Sequence, residues 1–129
     1  MEPVRDLTLG RMADKVILTP GVMHGELLGQ ALDLTSKGGT VVVTGVAPFS
    51  ETTATISLCN LTNWNKEVKG TIYGSLNPRA DIPRLLSLYR KGMLKLDEMV
   101  SRTYTLHQIN DGYRDMHAGR NIRGVIAHG

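Results

Sequence analysis

Nowhere in the 129 residues is there a G-x-G-x-x-G or a G-x-x-x-x-G-K-[ST]. The chain therefore carries neither of the glycine-rich loops that cradle phosphates at a helix N-terminus. It has one cysteine, Cys59, which excludes an intrachain disulfide and any multi-cysteine zinc site. The four histidines are scattered, and His107 and His117 flank one expected helix without sharing a face, so they read as solvated surface groups. In "MHGE" (23–26) a histidine stands beside a glutamate with no second ligand at metal spacing, and the segment reads as a helix start. No G-x-S-x-G and no Cys/His pair suggests a nucleophile and its base.

Aromatics are 5% of the chain and the net charge is only +3, with the basic residues dispersed, which argues against nucleic-acid binding. No apolar run approaches the ~20 residues that span a bilayer, so no membrane partner is expected. The opening "MEPVRDLTLGRM" lacks a signal-peptide core, and a cytoplasmic location is the expectation.

What is present belongs to a globular α/β protein, with 41% apolar and 21% charged residues. "KVIL" (15–18) is a short strand stopped by Thr19-Pro20-Gly21. A helix follows from about His24 to Ser36, with Leu27, Leu28, Ala31 and Leu32 on one stripe and Lys37-Gly38 as its end. "TVVVTG" is then a β-branched, non-alternating strand, the pattern of one covered on both faces. Strand, helix and strand in about thirty residues form a βαβ unit with a parallel pair and a right-handed crossover. Gly21, Gly25 and Gly29 are spaced by four, which on a helix means one small-residue face for close packing, a reading preferred to a phosphate site.

Further along, "TATISL" has the look of a short strand, and another runs from about Glu67 to Tyr73, closed by Gly74. Asp81 is the expected cap of the next helix, whose first turn would hold Pro83. "EMVSRTYTL" reads as a strand. Thr105 and Gln108 make a T-x-x-Q capping box for a helix with apolar face Leu106, Ile109, Tyr113 and Met116, and "NIRGVIAHG" is a last strand.

The first parallel unit opens at residue 15 with no unit before it, so the sheet reads as the second half of a larger one. If the two strands ending at Thr44-Gly45-Val46 and Thr71-Ile72-Tyr73-Gly74 are neighbours, both loops open on one carboxyl edge, where ligands of open α/β sheets sit. Glycines there either admit a planar ligand or simply end the strands, and periodicity alone leaves both readings open.

In order and spacing, "GGTVVVTGV", "EVKGTIYGSLNPRADIPRLLSLYRKGMLKLDEMVSRTYTL" and "INDGYRDMHAGRNIRGVI" resemble the C-terminal portion of the zinc-dependent medium-chain alcohol dehydrogenases. The long middle stretch is most similar to the nitrosodimethylaniline-dependent branch, whose relatives include mycothiol-linked formaldehyde dehydrogenases. The resemblance implies that residues 1–74 are the second half of an NAD-binding Rossmann domain. Residues 75–129 would be a linking helix and the C-terminal segment of the catalytic domain. It implies NAD as cofactor, with zinc ligands and the phosphate loop in N-terminal sequence absent here, and so no dehydrogenase activity from this chain alone. By position, Thr44, Gly45 and Val46, with Thr71, Ile72 and Tyr73, match the family's contacts to the nicotinamide carboxamide. Arg123 matches the arginine that pairs with the pyrophosphate, a role its guanidinium fork suits. The family also implies a homodimer through residues 53–73, where Cys59 and Trp64 would be packing residues. A non-catalytic dimerising or weakly nucleotide-binding module is the alternative function.

Overall fold

The computed structural model describes residues 2–128. The chain divides into two compact units, Met1–Leu76 and Asn77–Gly129. Both are α/β with parallel strands, the class expected from the sequence.

In the first unit, helix α1 (Glu2–Leu7) precedes β1 (Ala13–Leu18), α2 (Gly25–Leu34) and β2 (Thr35–Val43). After a long connection come α3 (Leu58–Asn63) and β3 (Glu67–Gly70). The sheet order is β1-β2-β3, all parallel, so the expected βαβ unit is present with β2 in the middle. Central position explains its apolar run: Val41 is fully buried and, with Ala31 and Leu32 of α2, makes the core. Val16, Leu18, Leu28, Val43, Ile56, Leu61 and Val68 pack around those three.

Two boundaries differ from the sequence reading. Helix α2 stops at Leu34, before the expected Lys37-Gly38 end. The carbonyl of Leu32 already accepts from the Thr35 N–H and, at 2.7 Å, from the Lys66 ammonium of a distant loop. Thr35 is extended and pairs with Ala13, and the register then jumps to Lys15 opposite Thr40. Gly38, at φ 71°, serves that bulge and gives its N–H to the Trp64 carbonyl at 2.8 Å. Burial lowers the pKa of Lys66, an effect that Asp33 opposes. "TATISL" is not a strand; Ser57 caps α3, its hydroxyl accepting from the Asn60 N–H at 3.1 Å.

In the second unit, α4 (Pro78–Arg90) is followed by β4 (Val100–Tyr104), α5 (Ile109–His117) and β5 (Arg123–Ile126). Asn77, not Asp81, caps α4: its side chain accepts from the Arg79 N–H at 3.1 Å, while Asp81 accepts from the Asn77 N–H at 2.8 Å. With Pro78 at the first helical position, Pro83 falls in the second turn, where it removes a backbone donor from the ladder. The Thr105–Gln108 box is present, with Gln108 accepting from the Thr105 N–H at 3.0 Å.

The centre of this unit is polar. Tyr104 is its one buried hydrophobic residue among those described, and its ring lies against Gly112 and Gly124, where a Cβ at Gly124 would come within 2.8 Å of it. The buried Asp115 carboxylate accepts from the Tyr104 hydroxyl at 2.8 Å, from Arg120 Nε at 2.8 Å and from Arg102. Asn121 donates to the Tyr104 oxygen at 3.0 Å. These donors, led by Tyr104 and Arg120, hold Asp115 down to about 2. Among the described residues no helix is long and apolar enough to cross a membrane.

Candidate functional site: a ledge at the carboxyl edge of the first sheet

Parallel pairing aligns Val43 with Gly70, so the next residues, Thr44 and Thr71, leave the sheet side by side. Adjacent strands lie about 4.8 Å apart, which brings Thr44-Gly45-Val46 and Thr71-Ile72-Tyr73 to one edge. The inward-facing bonds of these segments are made. Thr44 gives both its N–H (3.1 Å) and its hydroxyl (2.7 Å) to the Leu18 carbonyl, and the Thr71 N–H donates to the Val43 carbonyl at 3.0 Å.

The outward bonds are not made. Among the described residues nothing donates to the carbonyls of Thr44 or Thr71, and the N–H groups of Val46 and Tyr73 find no acceptor. Two acceptors and two donors are therefore among the backbone groups left open in these segments, the Gly45 carbonyl and the Ile72 N–H being unpartnered among the described residues as well. Together they suit a planar group with both functions, such as a primary amide. The Val46 carbonyl is not available on the same terms, because the Met23 N–H already donates to it at 3.0 Å.

Strand β3 is shorter than the sequence suggested, and Tyr73 lies outside it. Tyr73, Gly74 and Ser75 form one left-handed turn, with φ of 48°, 72° and 55°. Left-handed backbone costs about 1–2 kcal/mol at each non-glycine residue. The turn is tied by Ser75 N–H to the Ile72 carbonyl at 2.9 Å and by the Thr71 and Ser75 hydroxyls, 2.8 Å apart. In it the Tyr73 N–H has no acceptor among the described residues, and the Ile72 and Tyr73 side chains are exposed.

Gly45 has a packing role the sequence did not reveal. A Cβ there would meet Pro20 at 3.0 Å, so this glycine lets the β1–α2 connection close against the ledge. Gly25 and Gly29 form the packing face expected of them: a methyl on Gly25 would overlap the Thr53 carbonyl, and one on Gly29 would sit 2.7 Å from that of Thr55. Gly21 lies before α2, and a Cβ there would meet nothing within 4 Å among the described residues, so it is not part of that face.

A second group missed in the sequence is Glu51. Its carboxylate accepts from the Gly25 N–H at 2.9 Å and lies 3.5 Å from His24 Nδ1, which lowers its pKa. Glutamate and glycine are 26 positions apart, and no local pattern marks the pair.

Arg123 belongs to the second unit. It lines a largely apolar groove of 350 Å³ with Tyr104, Ile109, Tyr113, Met116 and Ile122, and no carboxylate among the described residues pairs with it. Elsewhere among the described residues, no group of three or more His, Cys, Asp or Glu side chains is placed to hold a metal ion.

Comparison with known proteins bears on this ledge. The family model described as "Zinc-binding dehydrogenase" matches residues 1–91, a span that holds the ledge and stops short of Arg123. Alcohol dehydrogenase B of Mycobacterium tuberculosis is 48% identical over 125 residues, covering 97% of this chain and 33% of that protein. The NDMA-dependent alcohol dehydrogenase of Amycolatopsis methanolica is 46% identical over 125 residues, 97% of this chain and 34% of its own length. The crystal structure of benzyl alcohol dehydrogenase from Acinetobacter calcoaceticus superposes with a TM-score of 0.88 at 26% identity, over 99% of this chain and 34% of that one. The chain thus spans about a third of the length of these relatives, in their C-terminal part.

Proposed function

The chain belongs to the zinc-binding dehydrogenase family, and on that premise we propose that its ledge is the nicotinamide wall of an NAD-dependent alcohol dehydrogenase. The observation that carries this reading is the set of open backbone groups at the carboxyl edge. The Thr44 and Thr71 carbonyls would accept from the carboxamide NH₂, and the Tyr73 and Val46 N–H groups would donate to its oxygen. Gly45 and Ile72 would space these groups along the two segments. When bound, the nicotinamide ring takes or gives a hydride, and this chain's part is to fix the ring's orientation. Arg123, which pairs with no carboxylate among the described residues, would pair with the pyrophosphate through a charge-assisted fork.

In this reading residues 1–74 are the second half of a Rossmann domain and 75–129 a linking helix with a segment of the catalytic domain. The substrate class is an alcohol or a hydroxymethyl adduct. The described residues do not fit a zinc site, since no such donor set is assembled among them. Zinc would be held by parts of the relatives outside the matched third.

A second reading is a dimerising module. The observation that favours it is the edge position of β3, whose outer side has no strand among the described residues in the sheet order β1-β2-β3. The dimer contact proposed for residues 53–73 would run along that edge.

Turnover separates a cofactor wall from a complete enzyme. Purified chain given NAD, zinc and a primary alcohol is expected to produce no NADH absorbance above the buffer rate. Sustained alcohol-dependent NADH formation by the purified chain would overturn this reading.

A further inference from the structure

Among the described residues the segment between β2 and α3 pairs with no strand, yet it follows one defined course over α2 and the turn before it. Three fastenings hold it. The Met23 N–H donates to the Val46 carbonyl at 3.0 Å, Glu51 accepts from the Gly25 N–H at 2.9 Å, and the backbone of Thr53–Thr55 lies on Gly25 and Gly29 at distances only glycine allows. A tight turn with the Glu51 N–H on the Pro48 carbonyl at 2.9 Å joins the first two. Val46 thus sits between a fixed strand end and a carboxylate that caps the first turn of α2.

His24, the residue at the N-cap position, makes no side-chain cap of its own. The orphan N–H at Gly25 is satisfied by Glu51 instead, and a carboxylate there also meets the positive end of the helix dipole. Glu51 is the only ionisable side chain between Thr44 and Ser57, and residues 19–23 carry none. From α2 it faces His24, and the exposed Glu26 shares that first turn.

We propose that Glu51 is a positioning residue for the ledge: by fastening the 46–57 segment to the first turn of α2, its carboxylate sets where the open Val46 N–H points. The purpose of that placement rests on the ledge being a nicotinamide wall; the fastening itself is read without any cofactor. Neutralising the carboxylate weakens it as an acceptor and removes its attraction to the helix end, so the strap loosens and Val46 reorients. The sign follows from a carboxylate whose pKa is lowered in the fold below the ordinary 4.5. The fastening is complete above that ordinary value and is lost as pH falls through the lower, folded one.

The test is an acid titration of the ¹⁵N-labelled chain, followed by amide chemical shifts, in wild type and Glu51→Gln. In wild type the Gly25 amide is expected to titrate with a midpoint below 4.5, and the Val46 amide to move with the same midpoint. In Glu51→Gln both are expected to lose that inflection, while the Val42 amide in the sheet stays put in both proteins and marks an intact fold. A Gly25 amide that does not titrate overturns the proposal. So does a Gly25 inflection that Val46 does not share, since Glu51 would then cap the helix alone, and so does an inflection that survives in Glu51→Gln. Because no cofactor is added, these outcomes are independent of whether NADH binds.

Discussion

Leu32→Ala is expected to destabilise the first unit by about 2–5 kcal/mol, the range for truncating a fully buried leucine. Leu32 is 1% exposed and belongs to the buried cluster Ala31, Leu32 and Val41; among the described residues of this unit the one other buried hydrophobic side chain is Met23. Native domains are stable by roughly 0.05–0.15 kcal/mol per residue, so such a loss consumes much of what a unit this small has. Leu28, Val16 and Val43 border the site and are themselves only partly buried, so collapse onto the cavity would repay only part of the loss. Trp64 lies in this unit, over the Lys37 ammonium 3.9 Å from its ring, so its fluorescence reports unfolding of this unit in urea. The control is Ile17→Ala, at a side chain 61% exposed, expected to cost no more than about 0.5 kcal/mol. Equal effects for the two substitutions would show that α2 does not carry the core.

The second large effect is expected at Asp115. In place of an apolar centre, the second unit has one carboxylate that accepts from Tyr104, Arg120 and Arg102. Asp115→Ala leaves these donors without their shared acceptor, a cost that exceeds the worth of any single bond. We expect the variant to lose the dispersed Tyr104 and Gly124 amide resonances, with the first unit's spectrum unchanged. The same carboxylate gives wild type an acid dependence. Its folded pKa is depressed to about 2 from 3.8, so its stabilisation is complete above 3.8 and is lost as pH falls toward about 2. Dispersed second-unit resonances that survive in Asp115→Ala would remove the network from its central place.

The parts of the fold legible in the sequence are those with a local signature. The β-branched run at Val41–Val43 and the apolar stripe at Leu28–Leu32 mark strand and helix within a few residues. The Thr105–Gln108 box marks a helix start because both partners lie three positions apart. The ledge was legible through order and spacing, since parallel pairing of β2 with β3 places Thr44 beside Thr71.

What stayed hidden depends on partners distant in sequence. The end of α2 is set by Lys66, 34 positions from the carbonyl it caps. Glu51 is 26 positions from Gly25, and Arg102 is 13 from Asp115, so neither pair has a period to betray it. The left-handed turn at Tyr73–Ser75 was hidden for another reason: tyrosine and serine carry no propensity for positive φ, and only Gly74 hinted at a stop. Asp81 misled because it does serve the helix start, from inside the helix and not from its cap.

The measurement that bears most directly on the nicotinamide wall compares two dinucleotides that differ only at the carboxamide. The ¹⁵N-labelled chain is titrated with NAD and, separately, with its nicotinic acid analogue, whose carboxylate cannot donate to a carbonyl. The Val46 and Tyr73 amides report the proposed donors, and those of Gly45 and Ile72 report the peptide groups of the Thr44 and Thr71 carbonyls. All four are expected to shift with NAD and to stay in place with the analogue. Equal shifts with both dinucleotides, or shifts with NAD that avoid these four amides, would contradict a carboxamide held at this edge.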